Sequence, residues 1–139
     1  MRVCVRANLL WNDIKYNDIM KKVIATVDAP KAVGPYSQAI EVNGTLYISG
    51  QIPVNPADGQ IQDEITAAAH QSLKNIGAIL KEAGMTYDNV VKTTVLLADI
   101  ADFKAVNEVY AEYFTGDKPA RACYQAAALP LGVKVEIEA

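Results

Sequence analysis

The sequence predicts an α+β domain: a mixed, mostly antiparallel sheet with two helices packed on one face. Three observations predict it. Residues 63–84 and 99–116 repeat apolar side chains at helical spacing, each stretch opened by an aspartate and closed by a glycine. Shorter β-branched or alternating runs stand before, between and after them. The order that results, βββαβαββ, fits one domain in a chain of 139 residues that is 51% hydrophobic and 21% charged.

Residues 1–19 carry no helical or strand period. They lack the apolar core and small-residue cleavage site of a signal peptide, and two arginines, two aspartates and no serine do not make a transit peptide. They are expected to be a disordered extension or an upstream start preceding Met20, with residues 20–139 as the domain. Ala29 to Pro35, with two prolines and Gly34, is loop. Ser37–Val42 and Thr45–Ser49 flank Asn43-Gly44, the strongest short hairpin signal. Pro53 to Gly59 is a second loop. Asp63 is placed to cap a helix whose inward stripe is Ile65, Ala69, Leu73, Ile76 and Leu80, ending at Gly84. Val90–Leu97 is β-branched and continuous enough for a central strand. Asp99 or Asp102 opens the second helix, where Phe103, Val106, Tyr110, Tyr113 and Phe114 read as core, and Gly116 stops it.

The last stretch carries the chemistry. From Ala120 to Leu129 only Arg121 is charged, and Glu136 stands in the alternating run Val135 to Glu138. A buried cation needs an internal carboxylate or an anionic ligand; a strand-end arginine reaching water is the plainer reading. If Leu129–Gly132 turns a hairpin, Glu136 lies opposite Gln125 and shares a face with Arg121, roughly 13 Å away along the strands at about 3.3 Å per residue. A curved sheet or a neighbouring chain is then needed to bring the two together.

Composition excludes several classes. A net charge of −3 gives no nucleic-acid footprint, and no apolar run reaches membrane-spanning length. Cys4 and Cys123 lie far apart without metal-type spacing, which favours reduced thiols and a cytoplasmic protein. The single histidine, His70, falls on the surface of the first helix, so no metal site is expected. What remains is a guanidinium fork suited to a carboxylate and a glutamate able to orient water. That pair suits hydrolysis of a small acid bearing an electrophilic C=N bond.

Pro119-Ala-Arg-Ala-Cys-Tyr124 followed by Val135-Glu-Ile-Glu138, with Gly34-Pro-Tyr-Ser-Gln38 and Ile48-Ser-Gly-Gln-Ile-Pro53 upstream, resembles the RidA family (formerly YjgF) of reactive-intermediate imine and enamine deaminases. The resemblance runs from about Met20 to Ala139. It departs at the end, where family members usually continue the last strand, so Glu136 stands close to a terminus. The resemblance implies a chorismate-mutase-like fold and a homotrimer whose sheets line a barrel, with sites between subunits. It implies that Arg121 clamps the carboxylate of a 2-imino acid, helped by the backbone at Gly50 and Cys123. Glu136 would position the attacking water, while Tyr36, Ser49 and Asn107 complete the pocket. Small 2-imino acids are the expected partners, with no cofactor, no nucleic acid and no membrane.

From the residues alone, plainer roles stand beside these: Tyr36 packing over a turn, Ser49 satisfying backbone groups, Asn107 making a side-chain contact, Cys123 filling space. Two other functions share the resemblance: a carboxylate-binding or chaperone-like module without turnover, and a ribonuclease or translation inhibitor, which the acidic charge disfavours. Deleting residues 1–19 should leave melting temperature and activity unchanged; a large drop in melting temperature for a chain starting at Met20 would show those residues to be part of the fold.

Overall fold

Asn43 and Gly44 both take positive φ (51° and 76°), so the chain reverses in two residues between β2 (Ala39–Val42) and β3 (Thr45–Ile48). β1 (Lys22–Ile24) adds to the other edge of β2, giving an antiparallel trio. Residues 20–139 are described by the computed structural model; the extension expected at 1–19, Cys4 included, lies outside them. The remaining elements are α1 (Ile65–Glu82), β4 (Lys92–Leu97), α2 (Phe103–Tyr113), β5 (Ala120–Gln125) and β6 (Val135–Glu138). The order βββαβαββ expected from the sequence is the order found.

β4 lies between β5, parallel to it, and β6, antiparallel to it. The hairpin expected between the last two strands is therefore absent. After β5 the chain turns through Pro130–Gly132, with Leu131 and Gly132 at positive φ, and β6 enters on the far side of β4. β6 also pairs with the β3 side. Ile48 and Ala139 exchange two backbone hydrogen bonds (2.8 and 3.4 Å), as do Gln51 and Ile137 (2.8 and 3.1 Å). The two trios thus join into one mixed sheet, β1-β2-β3-β6-β4-β5. Between those two pairs, Ser49 and Gly50 face Glu138 alone, which is a β-bulge.

Strand parity assigns the faces. Val95, Leu97, Val135 and Ile137 are fully buried against α1, whose Leu73, Ile76 and Ile79 are fully buried as well. Each such side chain contributes about 1.5–3 kcal/mol by leaving water. The alternate residues, among them Tyr47, Leu96 and Tyr124, stand on the face that no helix covers. The cap of α1 is Glu64 rather than Asp63: its carboxylate accepts from the backbone N–H of Thr66 and Ala67, while Asp63 lies 3.6 Å from Lys134. Asp99 caps a 3-10 turn at Ile100–Asp102 that leads into α2, and Asp102 stands at the N-cap of that helix without a side-chain bond. The helix ends at Tyr113, with Phe114 as its C-cap two residues before Gly116.

Buried amides tie the loops to this frame. Asn75 of α1 donates to the carbonyls of Ile52 and Val54 (3.1 and 3.0 Å) and accepts from Gln71 (2.9 Å). Replacing Asn75 by alanine strands two loop carbonyls, so stability should fall by about 1–3 kcal/mol in urea denaturation, with faster amide exchange at Gln51 and Val54.

Candidate active site

Arg121 sits on β5, the edge strand, directly opposite Thr93 and on the helix side of the sheet. Its guanidinium carbon lies 4.8 Å from the centroid of the Tyr110 ring and 5.6 Å from that of Phe103, both on α2. Among the described residues it has no carboxylate within 4.0 Å. A half-buried cation held only by aromatic faces keeps its whole fork available to an anion. Asn107 lies one helical turn from each ring and is half-buried. Cys123, two residues along β5, shares the inner face. Burial is the main cause raising its thiol pKa, with the Arg121 charge working against it, so it stays a protonated packing residue rather than a nucleophile.

Glu136 occupies the other face. Its partner on β4 is Leu96, whereas Arg121 pairs with Thr93, so the two are three residues apart along the sheet and on opposite sides. At about 3.3 Å per residue and 4.8 Å per strand, their Cα atoms are roughly 14 Å apart. The shared face expected from a hairpin is not found, because β4 separates the two strands. The Glu136 carboxylate rests against Gly50: a Cβ built there would fall on Oε1 and come within 2.8 Å of Cδ. A side chain at position 50 would push the carboxylate out of that place. Burial raises the Glu136 pKa above the ordinary 4.5, and the neighbouring Glu138 raises it further.

The bulge beside this carboxylate is held from three directions. The Ser49 hydroxyl donates to the Ser37 carbonyl (2.7 Å), the Ser49 N–H donates to the Gln38 carbonyl (3.0 Å), and the Gln51 side chain donates to the Ser49 carbonyl (3.0 Å). Ser49 thus satisfies backbone groups, the plainer of its two expected roles. Among the described residues the Gly50 N–H meets no acceptor. Tyr36 is half-exposed in the preceding loop, where its hydroxyl accepts from the Val33 N–H (3.3 Å).

The chain therefore carries two separate groups on opposite faces of the sheet: Arg121 with Asn107 and Cys123, and Glu136 with Ser49 and Gly50. A cleft of about 680 Å³ between Thr45–Ser49 and Val90–Thr94 includes neither Arg121 nor Glu136. The described residues hold no group of three or more His, Cys, Asp or Glu side chains able to take a metal. None of the helices described is long and apolar enough to cross a membrane. The sequence reading did not single out Phe103, Tyr110 and Thr93 as neighbours of Arg121. The spacing of Phe103, Asn107 and Tyr110 on one helix face was the available signal.

Residues 26–139 match the family described as Endoribonuclease L-PSP. The chain belongs to that family. Several curated relatives carry deaminase names of the kind that the motifs suggested. A mouse protein named 2-iminobutanoate/2-iminopropanoate deaminase is 57% identical over 124 residues, covering 88% of this chain and 92% of its own. An Arabidopsis thaliana protein named Reactive Intermediate Deaminase A, chloroplastic, is 48% identical over 90% of this chain and 67% of its own. Among solved structures, a Rid-family protein from Yersinia pestis superposes with a TM-score of 0.84 at 50% identity, covering 86% and 96% of the two chains. TdcF of E. coli, solved with bound serine, gives 0.82 at 42% identity over 84% and 94%. In this RidA-family chain the fold expected from the sequence, an α+β sheet with two helices, is the fold observed.

The raised Glu136 pKa has a direct consequence for stability. The folded state holds that proton more tightly than the unfolded chain, so its contribution to stability is complete below pH 4.5 and is lost as pH rises through the folded value. Glu136→Gln should gain melting temperature relative to the native protein above that window and lose the advantage at pH 4. Equal differences at pH 4 and pH 8 would show that the carboxylate is not strained.

Proposed function

We propose that this protein hydrolyses reactive 2-imino acids of the 2-iminobutanoate and 2-iminopropanoate type to 2-keto acids and ammonia. The observation that carries the reading is an Arg121 fork without an ion partner among the described residues, in a chain 56–57% identical to the mouse and human proteins named for that reaction. Arg121 holds the substrate carboxylate in two parallel hydrogen bonds, with the N–H groups of Gly50 and Cys123 assisting. Glu136 takes a proton from water as its oxygen bonds to the imine carbon and the C=N π pair moves to nitrogen. The same carboxyl returns the proton to nitrogen, then carries the carbinolamine's hydroxyl proton to that nitrogen as the C–N bond breaks, leaving a C=O bond and free ammonia. A glutamate with a raised pKa is a stronger base than an ordinary carboxylate, which favours both transfers. The imine carbon is already electrophilic, so positioning and charge stabilisation suffice and no cofactor enters. Tyr36, Ser49 and Asn107 line the pocket.

A small imino acid cannot bridge roughly 14 Å between two faces of one sheet. We place the complete site between subunits of a homotrimer, where Arg121 of one protomer meets Glu136 of the next. The exposed Tyr47 and Tyr124 and the small Ala120 and Ala122 of the uncovered face support such packing. A second reading, carboxylate binding without turnover, draws on the serine found in TdcF. Nucleic acid is disfavoured as a partner by the net charge of −3, and the cytoplasm is the compartment that suits two cysteines without pairing or metal spacing.

Imines generated in situ by an amino-acid oxidase, trapped with semicarbazide, measure the hydrolysis directly. Arg121→Lys keeps the charge but loses the fork, worth about 1.5–3 kcal/mol, so activity should fall roughly 10- to 150-fold with melting temperature little changed. Full activity in that variant would end the clamp. Light scattering should return a trimer at micromolar concentration, and a monomer mass would remove the shared site.

A further inference from the structure

Side chains from two elements, α2 and β4, surround Arg121. Tyr110 of α2 lies 4.8 Å beneath its guanidinium and is 6% exposed, while Phe103, two turns earlier on the same face of the helix, lies at 5.6 Å and is 39% exposed. Thr93 of β4, the residue directly opposite Arg121, is fully buried and shares a 2.8 Å hydrogen bond with the Tyr110 hydroxyl. That bond fixes the ring from behind. The sequence pattern assigned both rings to the core, which describes what they are attached to and not what lies over them.

We propose that Phe103 and Tyr110 are positioning residues for Arg121: their rings form a shelf that sets the plane of the guanidinium and holds its N–H edge ready for a substrate carboxylate. The proposal rests on the reading of Arg121 as the carboxylate clamp. An arginine on a long flexible stem needs something to hold it before the ligand arrives. A protein carboxylate would do so, but it would occupy the fork. An aromatic face attracts the cation through its quadrupole and leaves the donors on the guanidinium edge free. Burial raises the Tyr110 pKa above the ordinary phenol value, ahead of the opposing Thr93 hydrogen bond and the Arg121 charge, so the ring stays neutral and does not pair with the arginine as a phenolate.

Phe103 is the safer site for a test, because it is partly exposed and its loss leaves the inner packing of Tyr110 in place. Phe103→Leu should weaken binding of 2-oxobutanoate, the probe ligand, by about three- to tenfold and raise KM in step, with kcat at saturation nearly unchanged. Phe103→Tyr should restore both. The Nε–H resonance of Arg121 in the ligand-free protein should move when either ring is removed, because ring faces shift the signals of groups over them. Tyr110→Phe, which loses only the bond to Thr93, should move it less. If Phe103→Leu binds 2-oxobutanoate as tightly as the native protein and the Arg121 resonance stays in place, the shelf is overturned. A lowered melting temperature with unchanged affinity overturns it equally, since that is simple packing. Should the native protein bind 2-oxobutanoate yet hydrolyse no imine, the deaminase reading fails while affinity and resonance still decide on the shelf. If the native protein binds no 2-oxobutanoate, the clamp and the shelf fall together.

Discussion

The structure depends on the pairing of β6 with two strands at once. Its antiparallel ladder to β4 and its reciprocal bonds with Ile48 and Gln51 convert two three-stranded sheets into one. Buried backbone donors and acceptors must find partners, and a strand between two others satisfies both of its edges. The same placement decides where Glu136 goes. Val135 and Ile137 are fully buried beneath the helices, so the residue between them has to project from the opposite face. There it meets the bulge, where Gly50 alone leaves room for a carboxylate.

The two charged groups of the site are handled by different physics. Glu136 is partly desolvated beside a second acid, so its environment favours the protonated form. Among the described residues Arg121 has no carboxylate within 4.0 Å and rests on aromatic faces, so its environment favours an incoming anion. On the function proposed above, a cation open to a carboxylate and a carboxylate tolerant of a proton are complementary tools for a 2-imino acid.

Much of the fold was legible in the sequence because the signals were local. Asn43-Gly44 could take two positive φ angles in succession, and the stripe through Ala69, Leu73, Ile76 and Leu80 could face only one way. Where two neighbouring residues offered the same chemistry, the choice was open: Asp63 and Glu64 both carry carboxylates, and the longer Glu64 side chain took the cap. Strand order was not legible. Nothing local distinguishes Val135–Glu138 folding back on β5 from the same residues crossing to the far edge of β4, and a wrong neighbour carries a wrong face with it. Arg121 and Glu136 could be picked out as unusual charges in apolar runs, but their relation in space required the register. The rings under Arg121 had the right period, which identifies a face without identifying its contacts.

The bulged junction between β3 and β6 joins Gln51 to Ile137, residues more than half the chain apart. Such contacts are costly to form, since the intervening loop must lose its freedom before the pairing rewards it, and chains rich in them fold slowly. On a ribosome, β1 to β3 emerge early and β6 emerges after every other strand. During that interval the inner edges of β3 and β4 have no strand between them, and each is a ready template for another chain. The residue that shapes the bulge for Glu136 therefore waits, throughout synthesis, in the part of the sheet most open to mispairing.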